Sequence, residues 1–487
     1  PEPAQTRWRR LPERFSSKPQ AKPLIQFSAA GRGSWRHVQT EIVRKRGRGR
    51  RLSPVTTFYL LVITQTLSLI GSRMTSVGLG IWLFATTGNT TPLLLAAFFN
   101  ELPAMLGGGL AGVLVDRGNR RRMLLLADAG QAAGTLLLLA SFLSGRFELW
   151  FLYLVVFIQG VFATLQQPAR DASTTLLVPA GHRERANAIQ EMAFPLAGVA
   201  APVLAGVLYA AAGVEGIIAV DLFTFLIAVV GVAVVAIPQP AATGEGEEDR
   251  GSMWQELVGA VRFLRLRRPL LLLVLYWALT NFLLNGPLGL AIPFLLTATG
   301  SETLLGGLLG LSSLGALAGA GLLAVWGGTR PRIHTLMPGM LLTGSMFLLL
   351  AAGRSPLLLG ATLFLLFAPL PIGNAIFISI LQLKVPPAMQ GRLFALHAQL
   401  GYLGATLSFL LVGPLVDRVL EPAVGRGGWQ WVAPVVGADP GSGMRLLLLV
   451  AGLLLMGVTM VMYALPMVRG MEAALPDYEG VAGDGGG

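Results

Sequence analysis

The sequence predicts an all-α polytopic membrane protein, with twelve transmembrane helices arranged as two pseudo-symmetric six-helix bundles. Three observations carry this. Apolar segments of about 20 residues recur from about residue 55 to about residue 466. Basic residues gather on alternate connections, and the two halves of the chain match each other in sequence. The 487 residues are 53% hydrophobic and only 13% charged, with mean hydropathy +0.65, whereas an ordinary soluble domain carries roughly 25% charged residues.

The spans are predicted at 55–85, 92–115, 122–144, 149–176, 186–211, 216–237, 270–297, 303–325, 333–353, 357–383, 391–416 and 442–466. They are helices because a bilayer offers loose backbone polar groups no partners, and their unbroken apolarity does not fit the alternation of a barrel strand. The 61 glycines and 30 prolines suit membrane helices, glycine permitting close approach and proline bending. Around them the chain divides into a basic tail 1–54, a bundle 55–237, a cytoplasmic linker 238–269, a second bundle 270–466 and a tail 467–487. In the linker, Pro238-Gln239-Pro240 and the polar run from Gly244 to Arg250 precede Met253 to Leu266. Those last residues predict an amphipathic helix at the inner membrane surface, with Trp254, Leu257, Val258, Val261 and Leu264 on one face and Arg262 and Arg265 elsewhere.

Charge placement orients the bundle. With the N-terminus inside, only Arg146, Arg354, Arg418, Arg426 and Arg445 of the 37 Lys and Arg fall outside, and Arg73 lies within span 1. The positive-inside rule therefore places both termini in the cytoplasm. The pI near 10.7 and the run Arg44-Lys45-Arg46-Gly47-Arg48-Gly49-Arg50-Arg51 invite a nucleic-acid reading. A basic segment just ahead of a first span follows from topology and from anionic lipid attraction, so membrane lipids, not nucleic acid, are the expected partner. The chain opens on Pro1, and its first fifty residues are expected to be partly extraneous to the working protein. Span 1 is too long, and lacks the small-residue cleavage site, for a cleavable signal. With Cys 0 and His 4, no disulfide, metal site or cofactor is expected.

One constant shift lays Leu110-Ala111-Gly112 on Leu317-Ala318-Gly319, Val178-Pro179 on Val385-Pro386, Arg185 on Arg392, Ala188 on Ala395 and Gly206 on Gly413. With three residues inserted, Gly118, Arg120 and Arg122 fall on Gly328, Arg330 and Arg332. Parallel six-helix repeats related by an axis along the membrane normal are the architecture of alternating-access transporters with a midplane site.

Between spans 2 and 3 the chain reads Gly112-Val113-Leu114-Val115-Asp116-Arg117-Gly118-Asn119-Arg120-Arg121-Arg122. This stretch resembles the signature of the major facilitator superfamily, a glycine followed by an aspartate and a basic cluster; the likeness covers about 55 to 475. Within that superfamily the chain is similar to the branch of bacterial macrolide-efflux proteins and enterobactin exporters. The residues are Gly71-Ser72-Arg73-Met74, Ala127-Asp128, Leu177-Val178-Pro179 with Arg185-Ala186-Asn187, Asp221-Leu222-Phe223-Thr224-Phe225, Val385-Pro386-Pro387 with Gln390-Gly391-Arg392, and Leu475-Pro476-Asp477. Two departures stand out. Val156 occupies the arginine position three residues before Gln159-Gly160, and the glycine-rich motif of span 5 survives only as Gly198, Ala201-Pro202 and Gly206.

The resemblance implies the major facilitator fold, a monomer, and export of amphipathic small molecules, drug-like or macrolide-like, by proton antiport and alternating access. Export of a siderophore or other peptide-derived metabolite is the alternative. A membrane-embedded enzyme ranks lower, since no nucleophile with its base, paired carboxylates or metal cluster stands at suitable spacing. No phosphate-holding Gly-x-x-x-x-Gly-Lys-Ser/Thr loop exists for an ATP-driven pump.

The candidate proton-coupling residues are Glu101, Arg73, Asp128 and Asp221. Counted from the turn near Gly88, Arg73 and Glu101 differ in depth by roughly 4 Å, so they are expected to meet. Their pairing reads either as a proton switch or as a static ion pair. Asp128 and Glu191 lie near the cytoplasm, where snorkelling or capping explains them; Asp221, near the outer end of span 6, is expected to cap amides or meet an arginine. The gate candidates are Gly112, Asp116, Arg117, Gly118, Arg120, Arg121, Arg122 and Asp171. There Gly112 would let helices approach, while the arginines grip headgroups or carboxylates and latch the cytoplasmic side. Arg170 is expected to join this latch. The second half lacks the acid, Trp326 standing near the place of Asp116. Polar and aromatic residues at mid-depth form the candidate cavity wall: Gln65, Ser68, Asn100, Gln159, Gln166, Tyr276, Asn281, Asn285, Asn374, His397, Gln399 and Tyr402. They suit a large amphipathic ligand, with helix-to-helix hydrogen bonding as the alternative for each. His397 alone belongs to a type that titrates near neutrality.

Overall fold

The computed structural model describes residues 53–178, 186, 189–235 and 253–478. The basic run 44–51, the Pro238 to Arg250 stretch and the side chains of Trp254 and Leu257 lie outside the described residues. The first half is built from α1 (Pro54–Thr87), α2 (Thr91–Arg117), α3 (Arg120–Leu143), α4 (Leu149–Leu177) and α5 (Ala193–Val234). Helix α5 is two spans. At Gly213 the backbone turns to φ 66 and ψ −169, which a residue with a side chain adopts only under strain, and the limbs 193–212 and 214–234 cross in opposite directions. Among the described residues, eleven continuous apolar helical stretches therefore make twelve crossings.

Helix α6 (Met253–Leu266) leads into the second half. It buries Ala260 and Leu264 and packs Val261 against the same cluster, whereas Val258 is exposed, so the predicted face is packed along Val261 and Leu264 but not at Val258. Next come α7 (Arg268–Gly289) with its continuation α8 (Ala291–Thr299), α9 (Glu302–Trp326), α10 (Ile333–Ala352), α11 (Pro356–Phe367) with α12 (Pro369–Lys384), α13 (Pro387–Leu415) and α14 (Ser442–Ala464). Polar residues start several of them: Ser53, Asn119, Ser301 and Ser355 each accept a backbone N–H from the first turn, satisfying one of the donors that a helix start leaves open.

With twelve crossings, α1 begins and α14 ends on one face, here the terminal face. Packing differs between the two faces. On the opposite face a single apolar cluster joins both halves, with Leu94, Ala201, Ala205 and Ile217 against Leu290, Phe294, Leu305 and Val412. On the terminal face each half keeps its own cluster, Phe58, Val115, Leu124 and Val232 in the first and Leu273, Met337, Phe377 and Leu393 in the second. Backbone contact between halves follows the sequence repeat. A Cβ on Gly206 would stand 2.5 Å from the Glu302 carbonyl oxygen and 3.2 Å from Gly306 Cα; one on Gly413 would stand 2.8 Å from Thr91 Cα. The two glycines matched by the shift thus make equivalent contacts, each on the first turn of a helix in the other half.

Beyond α14 the chain straps back across the terminal face of the second half. The buried Lys384 amine reaches the Asp477 carboxylate at 2.5 Å and donates to the carbonyls of Glu472 and Leu475. Glu472 Oε1 accepts from Ile333 N at 2.9 Å, and Tyr478 Oη accepts from Arg267 at 3.1 Å. Leu475-Pro476-Asp477 is accordingly a docking segment for a buried cation. Lys384→Met should leave the spans intact and free the strap. Amide exchange over 466–478 should accelerate about 10-fold or more, as expected when hydrogen bonds to a charged group worth about 1.5–3 kcal/mol are lost, with hydrogen–deuterium exchange as the measurement.

Candidate functional site

Two chambers lie along the seam between the halves. The larger, about 530 Å³, is lined by Asn281 and Asn285 of α7, Asn374 of α12, His397 and Tyr402 of α13, and Glu101 of α2. Each α7 asparagine donates to a carbonyl four residues back, Asn281 to Trp277 at 2.9 Å and Asn285 to Asn281 at 2.8 Å. The His397 ring packs on Phe377 at 4.6 Å, and Trp277 stacks on the same ring at 4.8 Å. The smaller chamber, about 250 Å³, is lined by Asn100, Gln159, Ser72, Thr75, Asp221 and again Glu101. Glu101 and Phe409 border both chambers. Among the described residues the Glu101 carboxyl has no hydrogen bond and no cation within 4 Å, although it lies near enough to Tyr402 across the seam to act on it electrostatically.

Asp221 neither caps amides nor meets an arginine, as its sequence position suggested. Its carboxyl accepts from Thr75 at 3.0 Å, Ser72 at 3.3 Å and Thr135 at 3.4 Å, three neutral hydroxyls supplied by α1 and α3. Gly71 makes room for it, since a Cβ there would come within 2.8 Å of Asp221 Oδ1. Gln159 is held beside this group by Thr135 Oγ1 at 3.1 Å and the Gln131 carbonyl at 3.2 Å.

A separate polar cluster surrounds Asp128, which is 0% exposed. Gln65 and Gln166 donate to its two oxygens at 2.6 and 2.7 Å, Arg170 donates to Gln65 Oε1 at 3.1 Å, and its guanidinium is near enough to attract the carboxylate. A carboxylate cut off from water must find donors within the protein. Gln65 and Gln166 are therefore partners of Asp128 and border neither chamber, Arg170 belongs to this cluster and not to the terminal latch, and Asp128 does not snorkel.

Other expectations are also corrected. Arg73 and Glu101 form no ion pair. The Arg73 guanidinium lies over the Phe194 ring at 4.9 Å, because that face of α1 packs on the first limb of α5 and not on α2. Tyr276 is buried between α7 and α14, its hydroxyl 3.0 Å from Thr459, and borders neither chamber. Gln399 faces α2, its Nε2 3.2 Å from where a Cβ on Gly108 would stand. Ser68 is buried.

At the proposed gate, no described residue lies within 4 Å of a Cβ placed on Gly112, so none of the described helices packs on it in this conformation. Gly118 is required by crowding, a Cβ there meeting Met123 Cε at 2.7 Å and the Leu114 carbonyl at 2.8 Å. Among the described residues the arginines reach carbonyls: Arg120 donates to Ala172 at 3.0 Å, and Arg121 donates to Val232 at 3.1 Å and to Ala233, the latter two at a helix C-terminus of the same half, where a cation is favoured. Arg122 offers its backbone N–H to Asn119 Oδ1 at 3.1 Å. Asp171 accepts from Gln167 at 3.1 Å. The Asp116 and Arg117 side chains lie outside the described residues.

The feature that reading the sequence missed lies on the opposite face. A π-helical turn, Val416–Leu420, extends α13 and carries Asp417 to the start of α2. Its two oxygens accept from Thr90 N and Thr90 Oγ1, both at 2.9 Å, and from Thr91 N at 2.7 Å and Thr91 Oγ1 at 2.5 Å. One carboxylate of the second half thus caps a helix of the first. One turn on, Glu421 accepts from Gly441 N at 2.6 Å and Gly443 N at 2.9 Å at the head of α14. The signal was available, because Gly413-Pro414-Leu415-Val416-Asp417-Arg418 repeats the Gly-x-Leu-Val-Asp-Arg pattern of Gly112 to Arg117.

Comparison with known proteins agrees with this architecture. The chain is 26% identical over 375 residues to macrolide efflux protein A of Streptococcus pyogenes, covering 74% of this chain and 90% of that one. It is 28% identical over 373 residues to the enterobactin exporter EntS of Citrobacter koseri, covering 74% and 85%. Its fold matches a bacterial homologue of the human lysosomal transporter Spinster, solved in an inward-facing and occupied conformation, at TM-score 0.67 and 14% identity over 85% of this chain and 97% of that one. The Major Facilitator Superfamily profile matches residues 61–409, and the chain belongs to that family of membrane transporters.

Proposed function

We propose that the protein exports amphipathic small molecules from the bacterial cytoplasm by proton antiport, rocking its two halves about the seam. The observation that carries the reading is Glu101, an acidic side chain with no cation beside it among the described residues, shared by both chambers about ten residues, or roughly 15 Å, from the start of α2. A carboxyl so placed exchanges a proton most readily when water reaches the seam from one side, and ligand contact follows its charge. Asp221, ringed by hydroxyls beside the smaller chamber, is the second carrier. Asp128, paired with Arg170 and two glutamines, has a structural role. The amides and rings around the larger chamber suit an amphipathic ligand of low charge. No step requires enzymatic chemistry.

The terminal face is cytoplasmic on this reading. The described loops and helix ends there carry Arg120, Arg121, Arg122, Arg330, Arg332 and Arg392, against Arg146, Arg354, Arg418, Arg426 and Arg445 opposite. Gly206, Gly413 and Asp417 then form the external seal, and the Gly112 loop closes only after that seal opens. The enterobactin exporter among the relatives favours a second reading, in which the cargo is a siderophore or similar peptide-derived metabolite. A susceptibility panel of drugs and siderophore-loaded medium in an efflux-deficient host separates the two.

Glu101→Gln should abolish dye efflux driven by a proton gradient in proteoliposomes while sparing gradient-free substrate exchange. Full coupled transport by this variant would remove Glu101 from the mechanism. Asp417→Ala should unseat the external seal. The chain has Cys 0, so Ser76→Cys in the smaller chamber provides a sole thiol. A membrane-impermeant maleimide applied outside whole cells should label it about 5–30-fold faster once a cap worth about 1–2 kcal/mol is lost. Unchanged labelling would show that the glycine contacts alone hold the seal.

A further inference from the structure

Arg73 has no role in the mechanism above, and its surroundings are unusual for a charge at mid-membrane. It lies 14 residues from the far end of a 34-residue helix, at the level where an ionised side chain is costly and ordinarily paired. Among the described residues no carboxylate comes within 4 Å of it and no hydrogen bond occupies its five donors. What surrounds it is the Phe194 ring at 4.9 Å and the bare backbone of Gly198. A Cβ placed on Gly198 would stand 3.6 Å from Arg73 Nη1 and 3.0 Å from the hydroxyl of Ser313, which comes from α9 in the other half. Phe194 is half exposed. The guanidinium therefore sits in the seam between α1, α5 and α9, supported by an aromatic face, with open donors and a hydroxyl across from it.

An aromatic ring stabilises a cation but accepts no N–H bond in the guanidinium plane. The planar fork stays free for a bidentate acceptor, and a carboxylate matches its geometry. We infer that Arg73 is a recognition point for an anionic group, a carboxylate or a group of like geometry, on the transported molecule, with Ser313 donating a second contact from the opposite half. This deepens the transport reading and rests on it: the cargo class becomes amphipathic molecules bearing one anionic group. Because its contacts come from both halves, the site is complete only while α5 and α9 stay together, so ligand charge is sensed in the conformation described here.

The test uses the full chain in nanodiscs and two probes that differ in one charge, dansylglycine and its methyl ester, with binding read by dansyl fluorescence. The wild type should bind the acid at least about 10-fold more tightly than the ester, as one charge-assisted contact provides. Arg73→Gln should bind both as the wild type binds the ester. Ser313→Asp, which keeps Arg73 and supplies it with an internal carboxylate, should lose the same preference, guarding against misfolding in the first variant. Equal binding of the two probes by the wild type, or an acid preference that survives both substitutions, would overturn the inference. Gradient-driven movement of the methyl ester in proteoliposomes is followed in parallel. Ester transport without acid preference sinks the Arg73 site alone, whereas acid preference without transport of either probe sinks the export reading and leaves the site standing.

Discussion

Gly206 and Gly413 bring the two halves into backbone contact on one face, and the rest of the architecture depends on that approach. A methyl group on either would strike a helix start in the opposite half, on Glu302 and Gly306 in one case and on Thr91 in the other. The apolar cluster shared by the halves forms around these two points, while the clusters at the other face remain private to each half. Asp417 adds direction to a contact that packing alone would leave slippery. Its two oxygens satisfy the first amides of α2 across the seam, and open amides at a helix start are a fixed demand of the helix itself. The segment that leaves α13 through a π-helical turn meets that demand from the other half.

Polar groups within the membrane fall into kinds that the sequence alone does not distinguish. Asp128, on α3, accepts from donors on α1 and α4, and Tyr276 and Lys384 are likewise tied to partners. Such residues hold helices in register. Glu101, Asp221 and Arg73 differ. Each lacks a charged partner among the described residues, and each stands beside the seam or its chambers. Function is best sought in this second group, because an unmatched charge in hydrocarbon persists only where something else, a proton or a ligand, periodically matches it.

Depth was legible in the sequence and azimuth was not. The spans, the break between spans 5 and 6, the helix at Met253 and the Gly206–Gly413 correspondence follow from run length, glycine placement and internal repetition. The expected meeting of Arg73 and Glu101 came from counting residues along two helices, which gives height but not the face each side chain occupies. That face is set by lateral packing, and α1 turns its Arg73 side to α5. The same limitation moved Gln65, Gln166 and Tyr276 out of the cavity wall. Asp417 was within reach, since the run that carries it copies the pattern of Gly112 to Arg117, but its value as a cap appears only when the first turn of α2 is brought beside it.

Glu101 and Phe409 form a common partition between the two chambers. Occupants on either side of one wall cannot behave as strangers: whatever rotates the phenyl ring or alters the carboxyl's charge on one side changes the standard free energy of the tenant on the other, and reciprocity makes the influence mutual. Under the proposed antiport, no remote relay is needed to link cargo to proton, because adjacency supplies the linkage.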